Sequence, residues 1–235
     1  MDSLYVVMPA YNEEENIEYV INQWYPILND KSEDSRIVVA DSGSTDRTHE
    51  ILKGLASSKY PKLMILPTNE RFHGPKVMEL YDYAIKNGAN YVFQTDSDGQ
   101  TSPGEFEAFW KMRKQYTAII GYRPKREDGR DRKFVEMVIC LLLRLYFGVK
   151  VPDANAPFRL FNTESLKKYL YRMPMDYNIP NIMLTVFYSY YKEALAFKEI
   201  SFKNRRSGRN SINFIKIFKI GILSLGSFNK FRKEL

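Results

Sequence analysis

Cysteine is almost absent from this chain of 235 residues, which contains Cys140 and no other. An internal disulfide is therefore excluded, and the reducing cytoplasm is the expected compartment. Residues 1–4 lack the basic flank and the long apolar run of a signal peptide. The longest uncharged apolar stretch near the C-terminus, residues 220–228, has nine residues, whereas a membrane-spanning helix needs about 20. The sequence thus predicts neither a signal peptide nor a membrane span.

A glycine-rich triphosphate loop followed by lysine is also missing, which argues against a nucleotidyltransferase. The hydrophobic content of 44% and charged content of 27% are typical of a folded globular protein. The length suits one large domain, or one domain with an appendage.

Positive charge is concentrated at the C-terminal end of the chain. Residues 198–235 hold ten lysines or arginines against two glutamates, although the whole chain carries a formal charge of only +7. Nucleic acid, an anionic membrane face and a phosphorylated substrate all remain open as partners. Residues 212–228 mix apolar side chains with Lys216 and Lys219, which is typical of a basic amphipathic helix. Such a helix lies on a membrane surface or docks on a partner.

Strand-like and helix-like segments alternate through the first half of the chain. Strands are predicted over residues 4–8, 36–40, 62–66, 90–95 and 117–121, and helices over 13–28, 45–57, 75–86 and 103–116. In the second half, helices are predicted over 132–146 and 179–191, strands over 158–161 and 195–202, and a loop over 152–157. This alternation predicts an α/β fold with a mostly parallel sheet flanked by helices, whose ligands bind beyond the carboxyl ends of the strands.

Polar clusters follow three of these predicted strands, at residues 9–13, 41–46 and 94–100. In the last cluster Asp96 and Asp98 share one face if the extended conformation continues beyond the strand. Two carboxylates at a strand end suit Mg²⁺ or Mn²⁺ carrying a diphosphate. A solvated turn is the alternative for this segment, since Asp, Ser and Gly all favour turns. A nucleic-acid-binding module would account for the basic tail but not for three acidic strand ends, so no nucleic-acid partner is expected.

The three clusters, Pro9-Ala10-Tyr11-Asn12-Glu13, Asp41 to Asp46 and Asp96-Ser97-Asp98-Gly99-Gln100, occur in an order that resembles family 2 glycosyltransferases. The closest likeness is to the dolichyl- and polyprenyl-phosphate sugar transferases. The resemblance implies a GT-A (Rossmann-like) fold over residues 1–211. Residues 1–121 would form the nucleotide-sugar-binding half, 122–211 the acceptor-binding half, and 212–235 a basic amphipathic tail.

For the donor site, the resemblance implies a nucleotide-sugar-binding set that also contains the metal ligands. That set is Pro9, Tyr11, Glu13, Asp41, Asn69, His73, Lys76, Asp96 and Gln100, with Asp98, Asp96 and Gln100 as the ligands of Mg²⁺ or Mn²⁺. The nucleotide would be UDP or GDP. Two of these residues have structural alternatives: Glu13 as a helix N-terminal charge and His73 as a loop residue.

For the acceptor site, the resemblance implies three basic clusters. Arg123, Arg159 and Asp153 are the expected catalytic residues, and phosphate or acceptor contacts are expected from Arg126, Arg205, Arg206, Arg209 and Ser211. Arginine forks grip phosphate well, whereas a solvated basic face is the alternative for the last cluster.

The expected reaction is an inverting displacement at the sugar's anomeric carbon, with a polyprenyl phosphate as acceptor. A phosphate monoester is largely ionised at neutral pH and needs little proton removal. A hydroxyl of a surface polysaccharide or glycolipid would instead need a base, for which Asp153 is the candidate. A non-catalytic nucleotide-sugar-binding protein is the third possibility. The expected location is the inner face of the cell membrane, where the tail contacts anionic lipid as a peripheral anchor.

Overall fold

The computed structural model describes residues 1–125 and 130–205, together with positions 226, 228–229 and 231–232 near the C-terminus. Within these residues seven strands form one sheet with the order β3-β2-β1-β4-β6-β5-β7. The strands are β1 (Leu4–Ala10), β2 (Arg36–Asp41), β3 (Leu63–Leu66), β4 (Tyr91–Gln94), β5 (Ala118–Tyr122), β6 (Arg159–Asn162) and β7 (Leu195–Glu199).

Parallel pairing brings the carboxyl ends of the first four strands to the same edge of the sheet. β1 pairs in parallel with β2 and β4, and β2 with β3. β6 runs antiparallel between β4 and β5, and β7 is parallel to β5. All seven residues of β1 are buried, as expected for a central strand covered on both faces. The prediction of a mostly parallel sheet flanked by helices is confirmed.

Helices cover both faces of this sheet. They are α1 (Ile17–Trp24), α2 (Thr48–Ser58), α3 (His73–Lys86), α4 (Phe106–Met112), α5 (Arg130–Phe147), α6 (Thr163–Leu170) and α7 (Pro180–Tyr190). One core cluster joins the sheet to α1, α2 and α4, and the other joins it to α3, α5, α6 and α7. The two cores alternate along β1, where Val6 faces one and Val7 the other, because successive side chains of a strand point to opposite faces.

Several helices and one strand begin or end at other residues than the sequence predicts, and two of the predicted helices contain a 3-10 turn with a proline. The helix predicted over 13–28 begins at Ile17, and after Trp24 it gives way to a 3-10 turn, Tyr25–Leu28, that contains Pro26. The helix predicted over 103–116 opens as a 3-10 turn, Pro103–Glu105, and α4 ends at Met112. Helix α3 begins two residues earlier than predicted, at His73. The strand predicted over 195–202 ends at Glu199.

Helix α6 was missed by the sequence analysis. It directly follows β6, and its start is stabilised by the side chain of Asn162, which accepts a hydrogen bond of 3.1 Å from the Ser165 amide. An N-terminal cap of this kind satisfies one of the free amides of the first turn. Only four residues of strand separate this helix from the preceding loop, too few for a change of period to be detected.

None of the helices in the described residues is long and apolar enough to cross a membrane. Most of the tail predicted over 212–235 lies outside the described residues, as do Arg126, Arg206, Arg209 and Ser211. Two described tail residues, Phe228 and Phe231, are buried in the core. Their rings contact Tyr146 and Phe147 of α5, and Tyr177 and Phe187 near α7.

Candidate active site

The carboxyl ends of β1, β2 and β4 meet around one cleft. β1 and β2 end in register, with Ala10 opposite Asp41. The loop after β4 is tied to β1 because the Ser97 hydroxyl donates a 2.8 Å hydrogen bond to the Pro9 carbonyl. Pro9 thus contributes a backbone anchor, while the Tyr11 ring beyond it is exposed. The polar clusters that follow separate strands in the sequence are therefore neighbours in space.

Asp41 lies buried at the end of β2 and is held from two sides. Its Oδ1 accepts a 2.5 Å hydrogen bond from the Ser44 hydroxyl, and His49 Nδ1 lies 3.2 Å from its Oδ2. His49, on the first turn of α2, was not identified by the sequence analysis. Its eight-residue separation from Asp41 gave no signal, because the loop between them determines the contact. The arrangement offers a fixed acceptor for a donor group such as a base N–H.

The loop after β1 turns through Asn12, whose φ of +54° lies in the left-handed region that asparagine tolerates. The Asn12 side-chain oxygen accepts a 2.8 Å hydrogen bond from the Thr45 backbone amide, and the Asn12 backbone amide donates to Ser44 Oγ at 2.9 Å. These contacts join the first two polar clusters.

Glu13 is 6% exposed and carries an unusual carboxyl group. Burial raises its pKa to about 7, although the hydrogen bond from Asn16 and the charge of Arg205 oppose that rise. Asn16 Nδ2 donates to its Oε2 at 2.8 Å, and Arg205 Nη2 pairs with its Oε1. The contact with Arg205 closes a separation of 192 residues. Glu13 therefore does not serve only as a solvated charge at a helix start.

Lys76 is enclosed beneath the cleft and is only 1% exposed. Its ammonium donates to the Ala10 carbonyl at 2.7 Å and to the Ser42 carbonyl at 2.8 Å. Burial lowers the pKa of this lysine, while the nearby Asp41 charge raises it. The side chain thus ties together the ends of β1 and β2, and its charge lies 5.5 Å from the centre of the Tyr11 ring.

Asp96 and Asp98 follow β4 and lie close enough for their charges to interact. Burial, and then the charge of Asp96, raise the pKa of Asp98 to about 6. His73 Nε2 lies 3.4 Å from Asp96 Oδ1, and the Gln100 amide donates to Asp98 Oδ1 at 3.1 Å. The Gln100 side chain is directed away from these carboxylates, because its Nε2 donates to the Lys203 carbonyl at 2.7 Å.

The carboxylate pair suits a hard divalent cation. Asp98 is half-buried beside Asp96, and burial and then the Asp96 charge raise its pKa. A bound cation would offset the repulsion between the two carboxylates. Among the residues that the structure describes, no group of three or more His, Cys, Asp or Glu side chains could hold a metal ion. The protein would therefore provide two carboxylate ligands, and a bound diphosphate would provide further oxygen ligands.

The start of α3 borders the same cleft. Gly74 packs so tightly there that a Cβ atom would lie 2.3 Å from the Asn178 carbonyl oxygen. The glycine therefore allows the helix start to approach the loop before α7. Asn69 is exposed in the segment between β3 and α3, and His73 occupies the first helical position.

Arg123 and Asp153 form a buried ion pair on the far side of β4. Arg123 Nε donates to Asp153 Oδ2 at 2.7 Å, and its Nη2 donates to Oδ1 at 2.9 Å. Burial raises the pKa of Asp153, but the charge and hydrogen bonds of Arg123 lower it further, and the net shift is downward. A third member, Glu136 of α5, accepts the Ala154 amide at 2.7 Å and lies 3.6 Å from Arg123 Nη2.

Arg159 is fully buried at the start of β6. Its guanidinium donates to the carbonyls of Ala154, Ala156 and Asn181, each at 2.7 Å, and to Thr185 Oγ1 at 2.9 Å. Burial lowers its pKa to about 10. The guanidinium thus holds the loop that carries Asp153 against α7.

The structure brings the predicted residues into two groups. Glu13, Asp41, Lys76, Asp96 and Asp98 surround the donor-side cleft with Arg205, whereas Arg123 and Asp153 lie across β4 from it. The sequence analysis missed Ser44, His49, Arg132 and Glu136. Arg132 of α5 lowers the pKa of Asp98 through its charge. Glu136 had one available signal, since it is the only charged residue in the otherwise apolar run from Phe134 to Leu143.

Comparison with protein families supports this picture. The profile described as Glycosyl transferase family 2 matches residues 5–170. A dolichyl-phosphate beta-glucosyltransferase of Trichomonas vaginalis is 27% identical over 178 residues, covering 70% of this chain and 54% of the relative. An undecaprenyl-phosphate 4-deoxy-4-formamido-L-arabinose transferase of Pectobacterium carotovorum is 22% identical over 217 residues, covering 92% of this chain and 64% of the relative. The chain thus spans less than two thirds of the length of either relative.

A solved structure shares the architecture. Glucosyl-3-phosphoglycerate synthase from Mycobacterium tuberculosis, in complex with Mn²⁺, UDP-glucose and phosphoglyceric acid, superposes with a TM-score of 0.70 at 20% identity. The match covers 97% of this chain and 80% of the synthase. At this identity the likeness establishes the fold, and the expected GT-A architecture is confirmed.

Proposed function

The chain belongs to glycosyl transferase family 2, and from that premise we propose that it transfers a sugar from a nucleoside diphosphate sugar to a polyprenyl phosphate. One observation carries the proposal. Carboxylates that follow three separate parallel strands converge on one cleft, where Arg205 pairs with Glu13. Both relatives described above act, by their names, on a polyprenyl or dolichyl phosphate.

On the donor side, Asp41 would contact the nucleobase, and Asp96 and Asp98 would hold Mg²⁺ or Mn²⁺. Such an ion would stabilise the negative charge of the departing diphosphate. Arg205 would add a further positive charge. Its Nε is buried with no hydrogen-bond partner within the described part of the chain, so it can donate to a phosphate oxygen.

On the acceptor side, a phosphate oxygen would attack the anomeric carbon as the bond from that carbon to the diphosphate oxygen breaks, with inversion. The acceptor phosphate is mostly dianionic at neutral pH, so no base is required. The lowered pKa of Asp153 and its two-point pairing with Arg123 favour this acceptor over a hydroxyl, which would need a proton acceptor. Asp153 would then orient Arg123, whose guanidinium is held rigidly between two carboxylates.

The first test is a thermal-shift screen of UDP, GDP and their sugars, each with and without Mn²⁺. A ligand at 100 times its dissociation constant should add roughly 2.7 kcal/mol of stability. UDP-glucose with Mn²⁺ comes first because the mycobacterial synthase holds that pair. The absence of any nucleotide shift would contradict the donor site.

The variant Asp98→Asn should lose the metal-dependent part of that shift, because it removes a charged ligand. Sugar transfer to a polyprenyl phosphate should fall on the order of 100-fold or more, as expected when charge stabilisation in the transition state is lost. Asp34→Asn, at an exposed position away from the cleft, is the matched control. Nucleotide binding without release of nucleoside diphosphate would instead indicate a non-catalytic sugar-nucleotide-binding protein.

A further inference from the structure

Helix α5 has an inner side that belongs to the candidate active site. Glu136 on that side accepts the Ala154 amide and approaches Arg123, as described above. Leu143 and Phe147, about two and three turns further along on the same side, are buried in the core. The helix is therefore fixed beside the acceptor region by polar contacts near its start and by packing at its end.

The outer side of α5 is apolar and open to solvent. Four large side chains lie on it at helical spacing: Phe134 (55% exposed), Met137 (60%), Leu141 (54%) and Leu145 (68%). Positions separated by three, four and four residues fall on one face of an α-helix. Single exposed apolar residues are ordinary, but a continuous row along almost the whole length of a helix marks an interaction surface.

The exposed charged side chains that the structure describes on α5 and just beyond it are all basic. Lys133, Arg144 and Lys150 are exposed. Glu136 is the only acidic residue between positions 132 and 150, and its carboxylate is directed inward to Ala154 and Arg123. An apolar row with exposed basic neighbours complements a surface that is apolar inside and anionic outside, which is a lipid monolayer.

The described C-terminal residues do not cover this row. Phe228 contacts Tyr146 and Phe147 at the end of α5, where Phe147 is buried in the core and Tyr146 is partly buried against it. Phe231 packs against Tyr177 and Phe187. The apolar tail residues that the sequence analysis assigned to a membrane are thus, at these two positions, directed into the protein.

We propose that the row Phe134, Met137, Leu141 and Leu145 of α5 inserts into the headgroup boundary of an anionic lipid surface, with Lys133 and Arg144 at the phosphates. The helix would lie in the plane of the surface. This placement rests on the proposed lipid-phosphate acceptor, since it sets the Arg123 and Asp153 pair next to the bilayer from which such an acceptor emerges. Membrane contact through α5 is separate from any contact made by the tail.

The test is flotation of the full chain with vesicles of phosphatidylcholine alone or with 30% phosphatidylglycerol. The wild type should float with the anionic vesicles. Leu141→Asp combined with Leu145→Asp should reduce partition by on the order of tenfold or more, because two apolar side chains leave the lipid. Lys133→Glu combined with Arg144→Glu should reduce binding to anionic vesicles roughly fivefold or more per residue, with little change for neutral ones.

Matched controls are Met175→Asp for the apolar pair and Lys111→Glu for the basic pair, both at exposed positions outside α5. All four substituted α5 residues are exposed, so the fold should be kept, which circular dichroism and thermal melting check. Flotation of the Leu141 and Leu145 variant equal to that of the wild type overturns the proposal. A wild-type dimer that becomes a monomer in this variant, without any vesicle binding, would also overturn it by assigning the row to a second copy.

Flotation and transfer assays keep this proposal apart from the proposed function. With a short water-soluble prenyl phosphate as acceptor, the α5 variants should retain wild-type turnover. With a long polyprenyl phosphate in vesicles they should lose it in proportion to their loss of binding. If the wild type floats through α5 but transfers no sugar to either acceptor, the membrane surface stands and the proposed reaction fails.

Discussion

At the scale of single residues, the charged groups of the candidate site interact with residues that lie far from them in the sequence. Glu13 is buried and Asp98 half-buried near other acidic groups, and burial is the main cause of the raised pKa of each carboxyl. Asp153 is equally enclosed, yet its pKa is lowered because Arg123 pairs with both of its oxygens. The region around Glu13 and Asp98 therefore attracts cations, whereas the charge of Asp153 is already balanced by that of Arg123.

Glu13 should make stability depend on pH in a particular direction. Its folded pKa of about 7 lies above its ordinary value of 4.5, so the folded state keeps a proton that the unfolded state loses. The free energy of unfolding should therefore fall as pH rises from about 4.5 to about 7. Glu13→Gln should match the wild type near pH 5 and exceed it at pH 8 by up to about 3 kcal/mol.

Urea denaturation at a series of pH values measures this effect. Glu15→Gln, at the exposed carboxylate two positions along, corrects for the general loss of one negative charge. An equal difference between the Glu13 variant and the wild type at pH 5 and pH 8 would show that Glu13 does not carry the effect.

Arg159 should behave as a structural residue. Arg159→Met keeps much of the volume but removes the donors to the carbonyls of Ala154, Ala156 and Asn181. Leaving buried acceptors unsatisfied should cost about 3 kcal/mol or more in chemical denaturation. Arg172→Met removes an exposed arginine and should cost about 1 kcal/mol or less. Comparable losses in the two variants would contradict the structural role.

At the scale of elements, the ends of helices and strands position the site more than their lengths do. Helix α5 ends at Phe147, and the next residue, Gly148, adopts a φ of +70° while its amide donates to the Arg144 carbonyl. A glycine in the left-handed region ends a helix with little strain. Helix α3, in contrast, depends on a glycine at its start, where the space beside Asn178 excludes any side chain.

Gly74→Ala should disturb that start. A Cβ atom 2.3 Å from a backbone oxygen forces the helix or the 177–178 segment to move, and a loss of about 2 kcal/mol or more is expected. Gly54→Ala is the matched control, because it lies inside α2 with nothing within 4 Å. That change should raise stability by up to about 1 kcal/mol. If the urea midpoint of Gly74→Ala did not fall below that of Gly54→Ala, the packing argument would be wrong.

At the scale of the whole molecule, the C-terminal part of the chain returns to both cores. Residues 200–205 run along the loop after β4: Lys203 and Gln100 exchange hydrogen bonds of 2.7 and 3.0 Å, and Arg205 reaches Glu13. Further along, Phe228 and Phe231 pack beside α5 and α7. The acceptor-side and donor-side regions are thus connected by the C-terminal residues.

Phe231→Ala should therefore reduce global stability. The ring is 4% exposed, and its removal should cost about 3 kcal/mol through lost burial and a residual cavity. Phe134→Ala removes the same side chain from an exposed helix face and should leave the unfolding midpoint nearly unchanged, while it weakens vesicle binding. A thermal or urea scan that finds the two substitutions equivalent would contradict the docking of the C-terminal residues.

The local features of this protein follow directly from its amino-acid sequence. The alternation of apolar strands and helices, and the acidic clusters directly after three strands, predicted the sheet and the edge at which Asp41, Asp96 and Asp98 lie. These features depend on neighbours in the chain and on the two-residue and 3.6-residue periods, which are visible in sequence.

The roles of chemically similar residues, in contrast, depend on how the chain packs. Three arginines that look alike in the sequence have different partners in the structure. Arg123 pairs with carboxylates, Arg159 donates to backbone carbonyls, and Arg205 pairs with Glu13, 192 residues away in the chain. The exposed apolar row on α5 could not be predicted either, because a buried and a solvent-exposed apolar helix face have the same sequence pattern. Burial and long-range pairing depend on which surfaces meet, and that information arises only when the chain is packed.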